Sequence, residues 1–404
     1  MINRIYQFYR KIRAKMFIFS GRLVFLLLAL LRPFFSLRFA LLRSDRFGEM
    51  LLNTDIFLRR NRVGDNQGAV LFIPYMGNSC ANQYLLDKIK TLVRVWDWKI
   101  VREWFARNMR LFSGTDFFYD YQVRQNYLHL YDGNLEPVFS FTEQENEKGQ
   151  AFLKKIGLQE GDWYVCIFAR DSFYLNKHFS SIPGSPVSDY NNDFRNSDIE
   201  SFRQACEFIV SEGGWVFRMG AEVEKPLSFA GERIIDYASC HRTEFLDIFL
   251  PANCLFALGD SSGGNHTATV FNRPIAYTNW IPTGFPPYFD KDIYIPKYLI
   301  RKEDGSRLPF YELSAMGDPE TRCATDFYRQ QGLFWENNSA EEIEALAMEM
   351  LNRLRGKFVI DALGKELVKN HYHALGLSGE KGRGLAEVAF FFLQKNRDLF
   401  FPGR

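Results

Sequence analysis

The sequence predicts an α/β protein: two domains, each built on a parallel sheet and facing a common cleft, with a basic amphipathic helix in front. Three observations carry this. Short apolar runs alternate with helical patterns in both halves of the chain. A length of 404 residues suits two domains of ordinary size. The composition, 47% hydrophobic and 24% charged, is that of a globular protein. The balance of 50 Lys and Arg against 48 Asp and Glu leaves no nucleic-acid signature.

The charge is uneven at the start. Residues 1–46 hold ten Arg and Lys against one acid, Asp45. Within them Leu23 to Leu31 is a nine-residue apolar run, short of the roughly 20 residues needed to span a bilayer. Arg22 and Arg32 bracket it, Pro33 follows, and no small-x-small cleavage site follows. The expectation is a helix lying on an anionic membrane surface, with burial against the rest of the protein or a true membrane span as the alternatives.

From there the elements follow in order. Leu37–Leu42 reads as a strand, Arg43–Gly48 as a loop and Glu49–Arg60 as a helix. Ala69–Ile73 and Gln83–Val93 repeat the strand–helix unit. Thr142 and Glu145 form a capping-box pattern opening a helix to Ile156, with Gly157 to end it. Trp163–Ala169 is an apolar strand followed by a long polar loop to Asn196. Ser197, with Glu200 three residues on, is expected to start a helix that Gly213-Gly214 ends. Trp215–Arg218, Arg233–Asp236, Cys254–Leu258 and Pro274–Tyr277 are strands. Thr243–Leu250 and Asn265–Phe271 are helices, and Ser339-Ala-Glu-Glu342 opens another. The alternation makes both halves Rossmann-like, with function on the loops that follow strands. The boundaries are 1–36 for the membrane-surface segment, 37–157 for the first domain, 158–375 for the second and 376–404 for a tail.

Chemistry concentrates at strand ends. The loop Gly259 to Gly264 follows a buried strand and precedes a helix. Asp260, Ser261, Ser262, Gly263 and Gly264 would present hydroxyls and amides to a phosphate, or simply make a tight turn. The loop is neither a Walker motif nor a GxGxxG fingerprint. Arg170 and Asp171, Arg195 and Asn196, and Arg218 with Gly220 fall at the same sheet edge, where arginines suit phosphate or carboxylate; structural Arg–Asp pairing is the plainer reading. In the first half Arg46, Gly48 and Glu49 surround a strand-to-helix turn. Glu49 could take a proton from an acceptor hydroxyl, or sit there because anions favour helix starts. His371 and His373 have no third ligand nearby, so no metal site is expected. Six cysteines without CxxC spacing indicate a reducing compartment.

Several blocks together resemble a known family. They are Arg46 to Thr54, Arg170-Asp171, Phe194 to Ile199, Val216 to Gly220, Asp236-Tyr237, Glu244 to Leu250, and Ser262-Gly263 with Phe271 to Pro274. Their order and spacing are similar to GT-B-type glycosyltransferases found with bacterial surface-polysaccharide genes, over about residues 40–300. The resemblance implies an acceptor domain first, a nucleotide-sugar domain second, and neither metal nor cofactor. By their position at strand ends, Arg170, Asp171, Arg195, Asn196, Arg218, Gly220 and residues 260–264 would then bind the donor, and Arg46 and Gly48 the acceptor. Where the family pattern has a His after the Gly, this chain has Glu49, so the base falls to Glu49 or Asp55. The expected activity is transfer of a sugar from a nucleotide-sugar to a glycan or lipid-linked acceptor in capsule or envelope polysaccharide assembly. The expected place is the cytoplasm, peripherally on the inner face of the cytoplasmic membrane. A transferase moving a non-sugar group, or a non-catalytic binding protein, are the alternatives.

Overall fold

A computed structural model of the chain describes residues 2–64, 68–75, 80–120, 130–131, 135–173, 177, 193–281, 286–287, 289–316, 325–374 and 385–401. Most of the 170–196 loop and much of the 376–404 tail lie outside these residues. The chain divides into two compact units, Met1–Arg124 and Gln125–Arg404.

In the first unit, β1 (Leu37–Leu42) and β2 (Ala69–Pro74) pair in parallel, Leu37 opposite Ala69 and Leu42 opposite Pro74. The helix Phe47–Arg62 joins them. Single bridges from Phe39 to Phe118 and from Phe72 to Val95 widen this unit beyond its two strands. Among the described residues this is a reduced βαβ sheet, smaller than the Rossmann-like domain expected. Its core holds Phe39, Leu71, Ile73, Phe105, Phe112 and Phe117, together with Leu28 from the N-terminal helix.

That helix runs unbroken from Ile2 to Leu31. By length and composition Tyr6–Leu31 could cross a membrane. The nine-residue apolar run is therefore part of a much longer element. It is also no detachable appendage. Phe25 lies 5.9 Å from the ring of Phe112 and 5.2 Å from that of Phe117. Gly21 brings the helix against the helix Lys99–Phe112, where any Cβ would collide with the Asn108 side chain.

The second unit is a seven-stranded sheet in the order β11-β8-β7-β6-β3-β4-β5. Its strands are β3 (Tyr164–Phe168), β4 (Trp215–Arg218), β5 (Ile234–Ile235), β6 (Phe256–Gly259), β7 (Ile275–Trp280), β8 (Ile293–Pro296) and β11 (Glu387–Val388). Every pairing is parallel. All five residues of β3 are buried, as expected for a strand covered on both faces. A separate antiparallel pair joins β9 (Tyr298–Arg301) to β10 (Leu333–Glu336). From β3 the chain winds outward through β4 and β5, then returns to β6 on the other side of β3. The order reverses between β3 and β6, where a doubly wound sheet leaves a crevice at its strand ends.

The helix Glu143–Ile156 belongs to this second unit, although the sequence boundary put it in the first domain. Its capping box forms as expected, and Gly157 ends it at a φ of +118°. Gly149 packs under the ring of Phe249, with no room for a Cβ. The expected start at Ser197 is also shifted. Asp198 is the cap, accepting the amide of Glu200 at 3.2 Å, and a 3-10 turn (Ile199–Phe202) leads into the α-helix Arg203–Ser211. The Ser197 hydroxyl is committed elsewhere.

Candidate functional site

Register brings the ends of β3 and β6 side by side, with Phe168 opposite Gly259. A Cβ on Gly259 would sit 2.5 Å from the Phe168 carbonyl, and one on Gly264 would sit 2.7 Å from the Phe168 ring. These glycines thus make room for the neighbouring strand. The next residues cross-link the switch point. Asp260, fully buried, accepts the Arg170 amide at 2.6 Å and the Ser197 hydroxyl at 2.5 Å through Oδ2. Ser197 in turn donates its amide to the Arg170 carbonyl at 3.0 Å. Burial pushes the Asp260 carboxyl above its ordinary value, and the Ser197 and Arg170 hydrogen bonds oppose that rise.

Two neighbours complete this lattice. The Arg170 guanidinium donates to the Asn196 side-chain oxygen, and the Asn196 amide donates to Ser172 at 2.7 Å. Arg195 donates to the carbonyl and, at 3.3 Å, to the hydroxyl of Ser261. Sequence reasoning missed Lys297. It is fully buried between β8 and β9 and donates to the Asn196 carbonyl at 2.8 Å. Burial lowers its ammonium to about 8; Asp260 pulls the other way and Arg170 adds to the fall. The signal was visible, since Lys297 is the lone charge inside Ile293 to Ile300. His266, just past the loop, is held near 4 by burial and by the charge of Arg195, so it is neutral at physiological pH.

A cleft of about 430 Å³ opens at this edge, within the size range of small-molecule sites. Arg170, Asp171, Asn196, Ser197, Arg218 and Lys225 are among its lining residues. Most of its acids have structural tasks. Asp171 accepts the amides of Phe173 and Glu224, both at 3.1 Å. Asp198 caps the 3-10 turn and pairs with Lys225 at 3.4 Å. Arg218 reaches the cleft wall but is only 2% exposed, and its NH1 pairs with Asp236 at 3.2 Å. The second oxygen of Asp236 accepts the Leu227 amide at 2.9 Å. Arg218 is thus a buried ion pair as well as a cleft residue, and Gly220 stands just beyond it without lining the cleft.

The loop 260–264 supports the cleft from its neighbouring strand without lining it. The expected helix after it is short: a 3-10 turn at Gly263–Asn265 and a five-residue helix at His266–Val270. So small a helix gives little dipole for a phosphate.

In the first unit, Arg43 makes a two-pronged pair with Asp45 at 2.9 and 3.0 Å and lies 3.5 Å from Glu49. Arg46 is the backbone cap of the helix Phe47–Arg62, and Gly48 lies in its first turn. Glu49 is half-exposed. Asp55 is the correction: it is fully buried and pairs with Arg59 at 2.8 Å one turn along the same helix. A carboxylate so enclosed has no access to an acceptor, so Asp55 cannot serve as the base.

No protein-family profile matches the sequence, and no curated protein matches it. Solved structures do show likeness. The glycosyl transferase family 9 protein from Veillonella parvula DSM 2008 is 12% identical, with 77% of this chain and 80% of that one covered and a TM-score of 0.36. The ADP-heptose lps heptosyltransferase II of E. coli is 13% identical, with 77% and 98% covered and a TM-score of 0.40. An E. coli heptosyltransferase with ADP-2-deoxy-2-fluoro heptose is 12% identical, with 59% and 87% covered and a TM-score of 0.30.

Proposed function

We propose that the protein is a glycosyltransferase that takes a nucleotide-sugar as donor and a glycan or lipid-linked acceptor, working in surface polysaccharide assembly at the inner face of the cytoplasmic membrane. The observation that carries this is the cross-linked switch point. Asp260 and Ser197 fix Arg170 at the rim of a small-molecule cleft, where doubly wound sheets bind nucleotides. Arg170, Arg195 and Arg218 cluster around that edge, as do the blocks Arg170-Asp171, Phe194 to Ile199 and Val216 to Gly220 that resemble the glycosyltransferase family. In this reading Arg170 stabilises charge developing on the departing nucleotide diphosphate, with no metal or cofactor called for. Glu49 is the remaining candidate for the base that deprotonates the acceptor.

Release of nucleotide from UDP-, ADP-, GDP- and CMP-sugars by the purified protein, with and without a lipid-linked glycan acceptor, tests this. Acceptor-dependent release from one donor class supports the reading. Binding without any turnover would favour a non-catalytic binding protein, and release of no nucleotide alongside modification of the glycan would favour a different transferase.

A further inference from the structure

The N-terminal helix carries an ordered apolar seam that the core does not use. Ile12, Met16, Phe19, Leu23, Leu26 and Leu30 follow one another at alternating steps of four and three residues, so they align on one face. Their exposure runs from 39% at Ile12 to 73% at Leu30. The opposite face is taken: Trp104 donates to the Ser20 hydroxyl at 3.0 Å, and Asn108 donates to the Phe17 carbonyl at 3.0 Å. Val24 packs against the core cluster and Leu28 is part of it. At 100° per residue, Lys11, Lys15 and Arg22 fall along one margin of the exposed seam, and all three are exposed. The helix holds no acidic residue.

We infer that this seam seats the first unit on an anionic bilayer, with the helix in the membrane plane, the seam in the acyl boundary and Lys11, Lys15 and Arg22 on lipid phosphates. The inference deepens the membrane part of the proposed function by naming the face and its ligand. Two observations choose this occupant. A seam of this spacing could also pair with a second copy, but Lys15 and Arg22 would then flank the seam on both chains with no acid to answer them. Lipid phosphates supply the missing anion. A membrane crossing is disfavoured by the packing. Arg13 pairs with Glu103, Asn108 meets Phe17 and Phe25 meets Phe112, so the helix Lys99–Phe112 runs alongside in the same direction. A crossing helix would carry Arg102, Arg107 and Arg110 into the hydrocarbon with it.

Co-sedimentation of the full chain with phosphatidylcholine vesicles, with and without about 30% phosphatidylglycerol, tests this. Binding to the anionic vesicles is expected, weakened by salt and reversed by alkaline carbonate. The triple variant Phe19→Ser, Leu26→Ser, Leu30→Ser should lower the partition coefficient by about tenfold or more, given the apolar area withdrawn. If it fails to fold, Lys11→Glu, Lys15→Glu, Arg22→Glu, all exposed, should abolish the preference for anionic lipid. Unchanged binding in the folded seam variant, retention of the anionic preference in the charge variant, resistance to carbonate, or a dimer that the seam variant dissociates would each overturn the inference. None of these readouts depends on turnover, so failure here is distinct from failure of the transferase reading.

Discussion

Asp260 and Arg170 meet across the point where the sheet reverses direction, the carboxylate of one holding the backbone amide of the other at 2.6 Å. Ser197 binds the same oxygen at 2.5 Å, so one buried acid fixes the ends of two strands and the far end of the loop that follows β3. Asp260→Ala should strand two buried donors and cost about 2–5 kcal/mol by urea unfolding. Asp260→Asn keeps an acceptor and should cost less. Because burial raises the Asp260 carboxyl, its contribution is complete below the ordinary carboxylate range and is lost as pH rises through the raised value. The wild type should therefore gain on Asp260→Asn as pH falls. A difference that does not change with pH would contradict the buried-acid assignment.

Lys297 supplies a second pH signature with the opposite sense. Its folded value of about 8 lies below the ordinary 10.5, so its stabilising contribution is complete above 10.5 and is lost as pH falls to about 8. Against Lys297→Met, the wild type should gain on the order of 3 kcal/mol between those limits. Denaturant midpoints measured across the range would show it. Parallel profiles would mean that Lys297 is solvated in solution.

Arg218 and Arg195 should separate by what their loss damages. Arg218→Ala leaves Asp236 buried beside an empty site and should cost about 3–5 kcal/mol of stability. Arg195→Ala removes a half-buried guanidinium whose contacts include Ser261 and should leave the fold largely intact. Melting temperatures of the two variants decide this, and a fully stable Arg218→Ala would show that the ion pair with Asp236 is not structural.

Removing residues 2–31 should unfold the first unit instead of releasing a soluble one. The deletion strips Leu28 and Phe25 from Phe112, Phe105 and Phe117, exposing a core of large aromatic rings. Proteolysis of the truncated chain should cut within residues 37–120 while sparing the second unit. A protease-resistant first unit would contradict this packing.

The parallel sheet was legible because β3, β4, β6 and β7 are apolar runs separated by turn residues or capped helices. Thr142 with Glu145 and Ser339 with Glu342 announce their helices through local chemistry alone, and both capping boxes form. The misplaced start at Ser197 has a long-range cause: its hydroxyl is claimed by Asp260, 63 residues away. Asp55 went wrong for a similar reason. A carboxylate on a helix reads the same in sequence whether it faces solvent or, as here, lies buried against Arg59. The need for Gly259 and Gly264 is also long-range, since the space that a Cβ would fill belongs to Phe168 of the adjacent strand. The reversal between β3 and β6 lies in strand order, which periodicity does not encode.

A nucleotide-sugar held in the cleft at this reversal by Arg170 should show in thermal shift. The wild type and Arg170→Ala would be melted with UDP-, ADP-, GDP- and CMP-sugars. A ligand at about 100 times its Kd adds about 2.7 kcal/mol to the folded state, enough to raise Tm by several degrees. The account predicts such a rise for one donor class with the wild type, and little or none with an equally folded Arg170→Ala. No shift with any donor, or the same shift in both proteins, would contradict it.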